Sequence, residues 1–104
     1  MSDQPLTEAE IELALSELPG WSHVGDRLEQ TWTFDGHLRA LAAATAVGFL
    51  SEQRGHHADL TINYDKLRVS ATTHSAGNKV SAKDTDLARA VSDLLAASVA
   101  DFGD

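Results

Sequence analysis

The chain is expected to adopt an α+β fold, a four-stranded antiparallel sheet with three helices on one face, in the order α-β-β-α-β-β-α. Three observations lead to that expectation. Two regions of alternating apolar and polar residues contain turn signals and read as β-hairpins. Three regions with apolar residues at helical spacing flank and separate them. No βαβαβ run points to a doubly wound parallel sheet.

The first region, "LTEAEIELALSELPGW", opens with Thr7 as N-cap and Glu10 three residues later. That is a capping box, and Leu6 is placed to staple against Ile11. Ile11, Leu15 and Leu18 share one stripe, and Pro19-Gly20 stops the run, so the first helix spans about Thr7 to Leu18. In "RLEQTWTF", Leu28, Gln30, Trp32 and Phe34 share one face while Arg27, Glu29, Thr31 and Thr33 share the other. Gly25-Asp26 marks a turn, which makes "WSHV" the short partner strand.

Asp35 is then placed to cap a long helix, "GHLRALAAATAVGFLSEQRG", whose one charged residue between His37 and Glu52 is Arg39. Its apolar side chains cover nearly every face, and a domain this small rarely encloses a central helix alone. The surface around Ala43, Val47 and Leu50 is therefore expected to pack against another subunit, the alternative being a tolerant alanine-rich surface. Next, "LTINY" and "LRVSATTH" alternate about a turn at Asp65-Lys66 and form the second hairpin, with His74 ending its strand or lying just beyond it. After the loop "SAGNKV", Ser81 is the N-cap of the last helix and Asp84 its N3 residue. Leu87, Val91, Leu94 and Leu95 give that helix its stripe to about Ala100.

Composition narrows the function. The 104 residues suit one domain, 1–104, burying somewhat more than ~60% of the surface of the unfolded chain. There is no cysteine, so thiolate metal sites and disulfides are excluded. The start, "MSDQPLTEAE", has no basic n-region followed by an apolar run, and no stretch approaches the ~18 apolar residues of a membrane span. A cytoplasmic protein is expected. Sixteen acids against eight bases leave a net charge of −8, which repels phosphate backbones and favours a small-molecule or protein partner over nucleic acid.

The remaining signal is histidine. His56 and His57 follow Gly55 at the end of the long helix, His74 stands at a strand end, and Asp84 begins the last helix. Glu52 and His56 are four apart, hence on one helical face, and with His57 and His74 offer nitrogen and oxygen ligands to zinc. Neither HExxH nor a comparable zinc pattern is present, and no metal site is assigned. A single histidine at a helix end is accounted for by the helix dipole. Polar groups gathered at several element termini point instead to a presented site.

The series Glu52-x3-His56-His57, then Tyr64, then "TTH" at His74, then "SAKDTDLA" with Asp84, resembles the signature of the pterin-4a-carbinolamine dehydratases. Trp21 after "LPG" and the element order agree with it along nearly the whole chain. Ala58 stands where that family commonly has proline, and Leu60 where some members carry tryptophan. The resemblance implies a pterin pocket lined by His56, His57, His74 and Asp84, dimers joined sheet edge to sheet edge, and often tetramers through the central helix. It implies loss of water from a 4a-hydroxytetrahydropterin to give the quinonoid dihydropterin, without metal or organic cofactor.

Such a reaction needs an acid for the leaving oxygen and a base for a ring proton, and imidazole, with its ordinary pKa of about 6.5, suits both. The resemblance thus gives a catalytic set of His56, His74 and His57, with His56 and His74 as the acid–base pair. Substrate binding falls to His57, Glu52 and Asp84. Glu52 either orients His56, contacts the pterin or is a solvated helix charge, and Asp84 either orients a histidine, binds the ring or completes a capping box. Trp21 and Tyr64 read as core residues, His23 and His37 as surface. A second class of function is a non-catalytic binding module that stabilises a partner protein's oligomer.

Overall fold

The computed structural model describes residues 4–102. Its elements are α1 (Glu8–Leu15), β1 (Ser22–Val24), β2 (Arg27–Thr33), α2 (His37–Arg54), β3 (Asp59–Asn63), β4 (Lys66–Ala71), a 3-10 turn (His74–Ala76) and α3 (Ala82–Phe102). The sheet order is β1-β2-β4-β3 with every neighbouring pair antiparallel. The expected α+β fold and its element order are therefore observed.

Alternation explains the layering. Leu28 of β2 and Leu67 and Val69 of β4 point into the core with Ala43 and Val47 of α2 and Leu87, Val91 and Leu95 of α3. Arg68, between Leu67 and Val69, is exposed on the opposite face. Trp21 is buried as expected, edge-on to Trp32 with ring centroids 5.6 Å apart, and its Nε1 donates to Ser92 Oγ at 2.7 Å.

Both bonds of the first capping box form, Glu10 N–H to Thr7 Oγ1 at 3.1 Å and Thr7 N–H to Glu10 Oε1 at 2.8 Å. The helix stops at Leu15 rather than Leu18, because Glu17 and Leu18 bond back three residues to Ala14 and Leu15. That tightening tucks Leu18 into the core. Asp35 does not cap α2. Gly36, at φ 130, takes the N-cap position, and no side chain caps the helix there.

The second hairpin turns one residue earlier than expected. Asn63 pairs with Lys66, which leaves Tyr64-Asp65 as the turn, with Tyr64 at φ 54. Tyr64 is thereby removed from the apolar face of its strand and is no core residue. Its ring is exposed and stacks parallel on His37, centroids 5.8 Å apart, while His37 Nδ1 donates to the Tyr64 carbonyl at 2.7 Å.

The long helix also needs correcting. Ala43 and Val47 face the sheet and are fully buried, and Leu50 packs against the same core. The outward apolar residues are Leu38, Leu41 and Phe49, which with exposed Thr45 form a second stripe at three- and four-residue spacing.

Candidate active site

The site is assembled at three junctions: the end of α2, the start of α3 and the turn after β4. At the end of α2, Gly55 adopts φ 64, a left-handed conformation that costs glycine nothing. The Gly55 N–H bonds to Glu52 O and the His56 N–H to Ser51 O, each at 3.1 Å, which closes the helix in a Schellman motif. His56 and His57 consequently lie beyond the helix, and the four-residue spacing from Glu52 to His56 no longer puts them on one face.

Their partners are therefore exchanged relative to expectation. Glu52 Oε1 accepts from His57 Nε2 at 2.7 Å, and both side chains are exposed. His56 Nε2 lies 2.6 Å from Asp84 Oδ1, with the imidazole largely covered and the carboxylate wholly buried. Glu52 does not orient His56; Asp84 does.

Asp84 serves two of its expected purposes at once, one with each oxygen. Oδ2 accepts the Ser81 N–H at 2.9 Å, which is the capping contact of α3, and also the Thr73 hydroxyl at 2.7 Å. Oδ1 is left to His56. A buried carboxylate is tolerable only when its lone pairs are met in this way.

The third junction, the turn after β4, carries His74. The strand β4 ends at Ala71, so His74 lies just beyond it as the first residue of the 3-10 turn. Its Nδ1 donates to Asn78 Oδ1 at 2.5 Å. Asn78 is itself at φ 61, a conformation asparagine tolerates better than most residues.

His56, His57 and His74 line one cleft of about 400 Å³, together with Asp59, Thr73 and Lys83. That volume is within the range of small-molecule pockets. Glu52 stands outside the lining and reaches the cleft only through His57, while Asp84 acts from behind His56. Sequence reasoning missed Asp59, Thr73 and Lys83 as lining residues. Thr73 and Lys83 are chain neighbours of His74 and Asp84, which is the one signal that pointed to them. Asp59 is oriented by an ion pair with Arg27 across the sheet.

Chemically, each of two imidazoles has one nitrogen committed. In the neutral ring, an Nε2–H held by Asp84 leaves His56 Nδ1 as acceptor, and an Nδ1–H held by Asn78 leaves His74 Nε2. Among the described residues no three histidine or carboxylate side chains are gathered so that one metal ion could be held.

The fold and site define an α+β protein in which three imidazoles line one cleft. Comparison with known proteins makes the class specific. The chain belongs to the pterin 4 alpha carbinolamine dehydratase family, whose family model matches residues 4–94. A relative from Thermosynechococcus vestitus named "Putative pterin-4-alpha-carbinolamine dehydratase" is 46% identical over 89 residues, covering 86% of this chain and 93% of the relative. One of the same name from Streptomyces coelicolor is 41% identical over 96 residues, covering 92% and 95%. A crystal structure described as a transcriptional coactivator/pterin dehydratase from Brucella melitensis superposes with a TM-score of 0.80 at 27% identity, over 86% of this chain and 97% of that one. Among the described residues no helix is long and apolar enough to cross a membrane.

Proposed function

We propose that the protein dehydrates a 4a-hydroxytetrahydropterin to the quinonoid dihydropterin, so that a reductase can recycle the tetrahydropterin. The observation that carries this reading is the convergence of His56 and His74 on one cleft with one ring nitrogen of each already committed. In the reaction the C4a–O bond breaks with its electron pair on oxygen, and a protonated imidazole supplies the proton that makes the leaving group water. A ring nitrogen lone pair forms the new C=N bond, and the second imidazole takes a ring N–H proton. His56 and His74 share those two steps; His57, steadied by Glu52, contacts the substrate. Metal or organic cofactor chemistry has no role in this scheme. The test is the rate at which chemically generated 4a-hydroxytetrahydropterin disappears, corrected for its spontaneous dehydration. Acceleration by the purified protein that is lost in His56→Ala supports the proposal; a rate equal to the uncatalysed one overturns it.

The reading includes a homodimer or homotetramer of the 104-residue chain acting as one cytoplasmic domain, supported by the outward Leu38, Leu41 and Phe49 and by the lack of cysteine. The same outward stripe supports the second reading, a non-catalytic module that stabilises a partner's oligomer. The dehydratase assay separates the two.

A further inference from the structure

His56 and His74 sit on different reversals of the chain, yet one residue touches the supports of both. We infer that Thr73 is a positioning residue whose hydroxyl holds the Asp84 carboxylate in the orientation that keeps the hydrogen of His56 on Nε2, while its backbone closes the turn that bears His74. The catalytic consequence rests on the dehydratase reading; the structural one does not.

The direction of the hydrogen bonds follows from counting hydrogens. Thr73 Oγ1 lies 2.7 Å from Asp84 Oδ2 and 2.7 Å from Ser81 Oγ, and all three residues are almost wholly buried. A hydroxyl has one hydrogen, and a carboxylate only accepts. Thr73 therefore donates to Asp84, and Ser81 Oγ donates to Thr73. Ser81 Oγ in turn accepts the Lys83 N–H at 3.2 Å. The chain of donors runs one way, from Lys83 N–H through Ser81 and Thr73 to Oδ2, which the Ser81 N–H also reaches at 2.9 Å. With Oδ2 filled by two donors, Oδ1 is the oxygen left for His56, and the ring hydrogen facing it sits on Nε2. His56 Nδ1 is then the nitrogen that exchanges a proton with substrate, in whichever direction the step runs.

The backbone of Thr73 does separate work. Its carbonyl accepts the N–H groups of Ala76 and Asn78, each at 3.1 Å, and its own N–H donates to Lys79 O at 3.0 Å. Those bonds shape the turn in which Asn78 holds His74. Removing the hydroxyl alone should disturb His56 and spare His74, and this asymmetry supplies an internal control.

Thr73→Val and Thr73→Ser in the full chain, labelled with nitrogen-15 histidine, provide the experiment, with long-range proton–nitrogen correlation spectra reporting each tautomer. The wild type should show His56 protonated at Nε2 when neutral. Thr73→Val should lose that single tautomer and lower kcat at least about tenfold, with KM within about twofold and the His74 signals unchanged. Thr73→Ser should restore both tautomer and kcat. An unchanged His56 tautomer with wild-type kcat in Thr73→Val, or equal impairment in Thr73→Ser, overturns the assignment. If Thr73→Val does not fold, the wild-type spectrum decides, since an Nδ1–H tautomer at His56 overturns it outright. Should the wild type lack dehydratase activity, only the kinetic arm is lost, and the tautomer of His56 in each variant still decides the role of Thr73.

Discussion

His56 Nε2 lies 2.6 Å from Oδ1 of Asp84, a carboxylate with no exposure to solvent. The pair joins a residue just past the end of α2 to the first turn of α3, 28 residues later, and so ties the site to the packing of two helices.

That tie makes Asp84 a structural residue as well as a positioning one. Asp84→Ala leaves the Ser81 N–H, the Thr73 hydroxyl and the His56 ring without their acceptor. Chemical denaturation should show a loss of about 3 kcal/mol, the scale for breaking a buried pair. A loss below about 1 kcal/mol would mean that the network relaxes onto water.

Separate histidines should give separate kinetic signatures. His56→Ala and His74→Ala are each expected to lower kcat by about 10²-fold or more, the usual scale for acid–base groups. His57→Ala should chiefly raise KM, because its nearest partner is an exposed glutamate. Glu52→Gln should change little, since an exposed pair contributes about 0–1 kcal/mol. Steady-state kinetics that placed the kcat loss on His57 and spared His56 would exchange their roles.

Gly55→Ala tests the reversal itself. A Cβ there meets nothing within 4 Å, so its cost is conformational alone, arising from φ 64. Thermal melts should report a loss of about 1 kcal/mol. Catalysis should fall further than stability does, because His56 and His57 both hang from that turn. Full activity in a destabilised variant would show that the reversal does not aim them.

Assembly is expected to run through the outward face of α2. Light scattering at micromolar concentration should give a dimer or tetramer. Phe49→Glu, at a side chain 69% exposed in the protomer, should lower the mass without unfolding. Val47→Glu, at a fully buried position, should unfold the protomer by placing a charge in the core. An unchanged mass in Phe49→Glu would remove this face from the interface.

Dialysis against EDTA should leave dehydratase activity intact, and added zinc should not raise it. Stoichiometric zinc whose removal abolishes turnover would reverse the reading of the histidines.

Signals between near neighbours in the sequence established which elements form and in what order, though not every boundary, since Asp35 does not cap α2 and the second hairpin turns one residue early. Alternation in "RLEQTWTF" placed Leu28 inward, Thr7 and Glu10 announced a helix start, and Ser81 with Asp84 announced another. The resemblance brought His56, His57, His74 and Asp84 together as one candidate set, and three of the four line the cleft. The helix end at Gly55 and the packing of remote elements decided the pairings. Helical spacing assigned Glu52 to His56, but Gly55 takes the chain out of helical geometry one residue too soon, and the true partner is remote in sequence. Thr73 could not be read from its strand pattern, because its importance is a hydrogen bond to a residue eleven positions away. For α2, composition showed that more than one face is apolar, while only the seating of the helix on the sheet decided that Val47 turns inward and Phe49 outward. Local rules follow from backbone geometry over a single turn; the site is made where the end of α2, the turn after β4 and the start of α3 meet, and only packing brings them to one place.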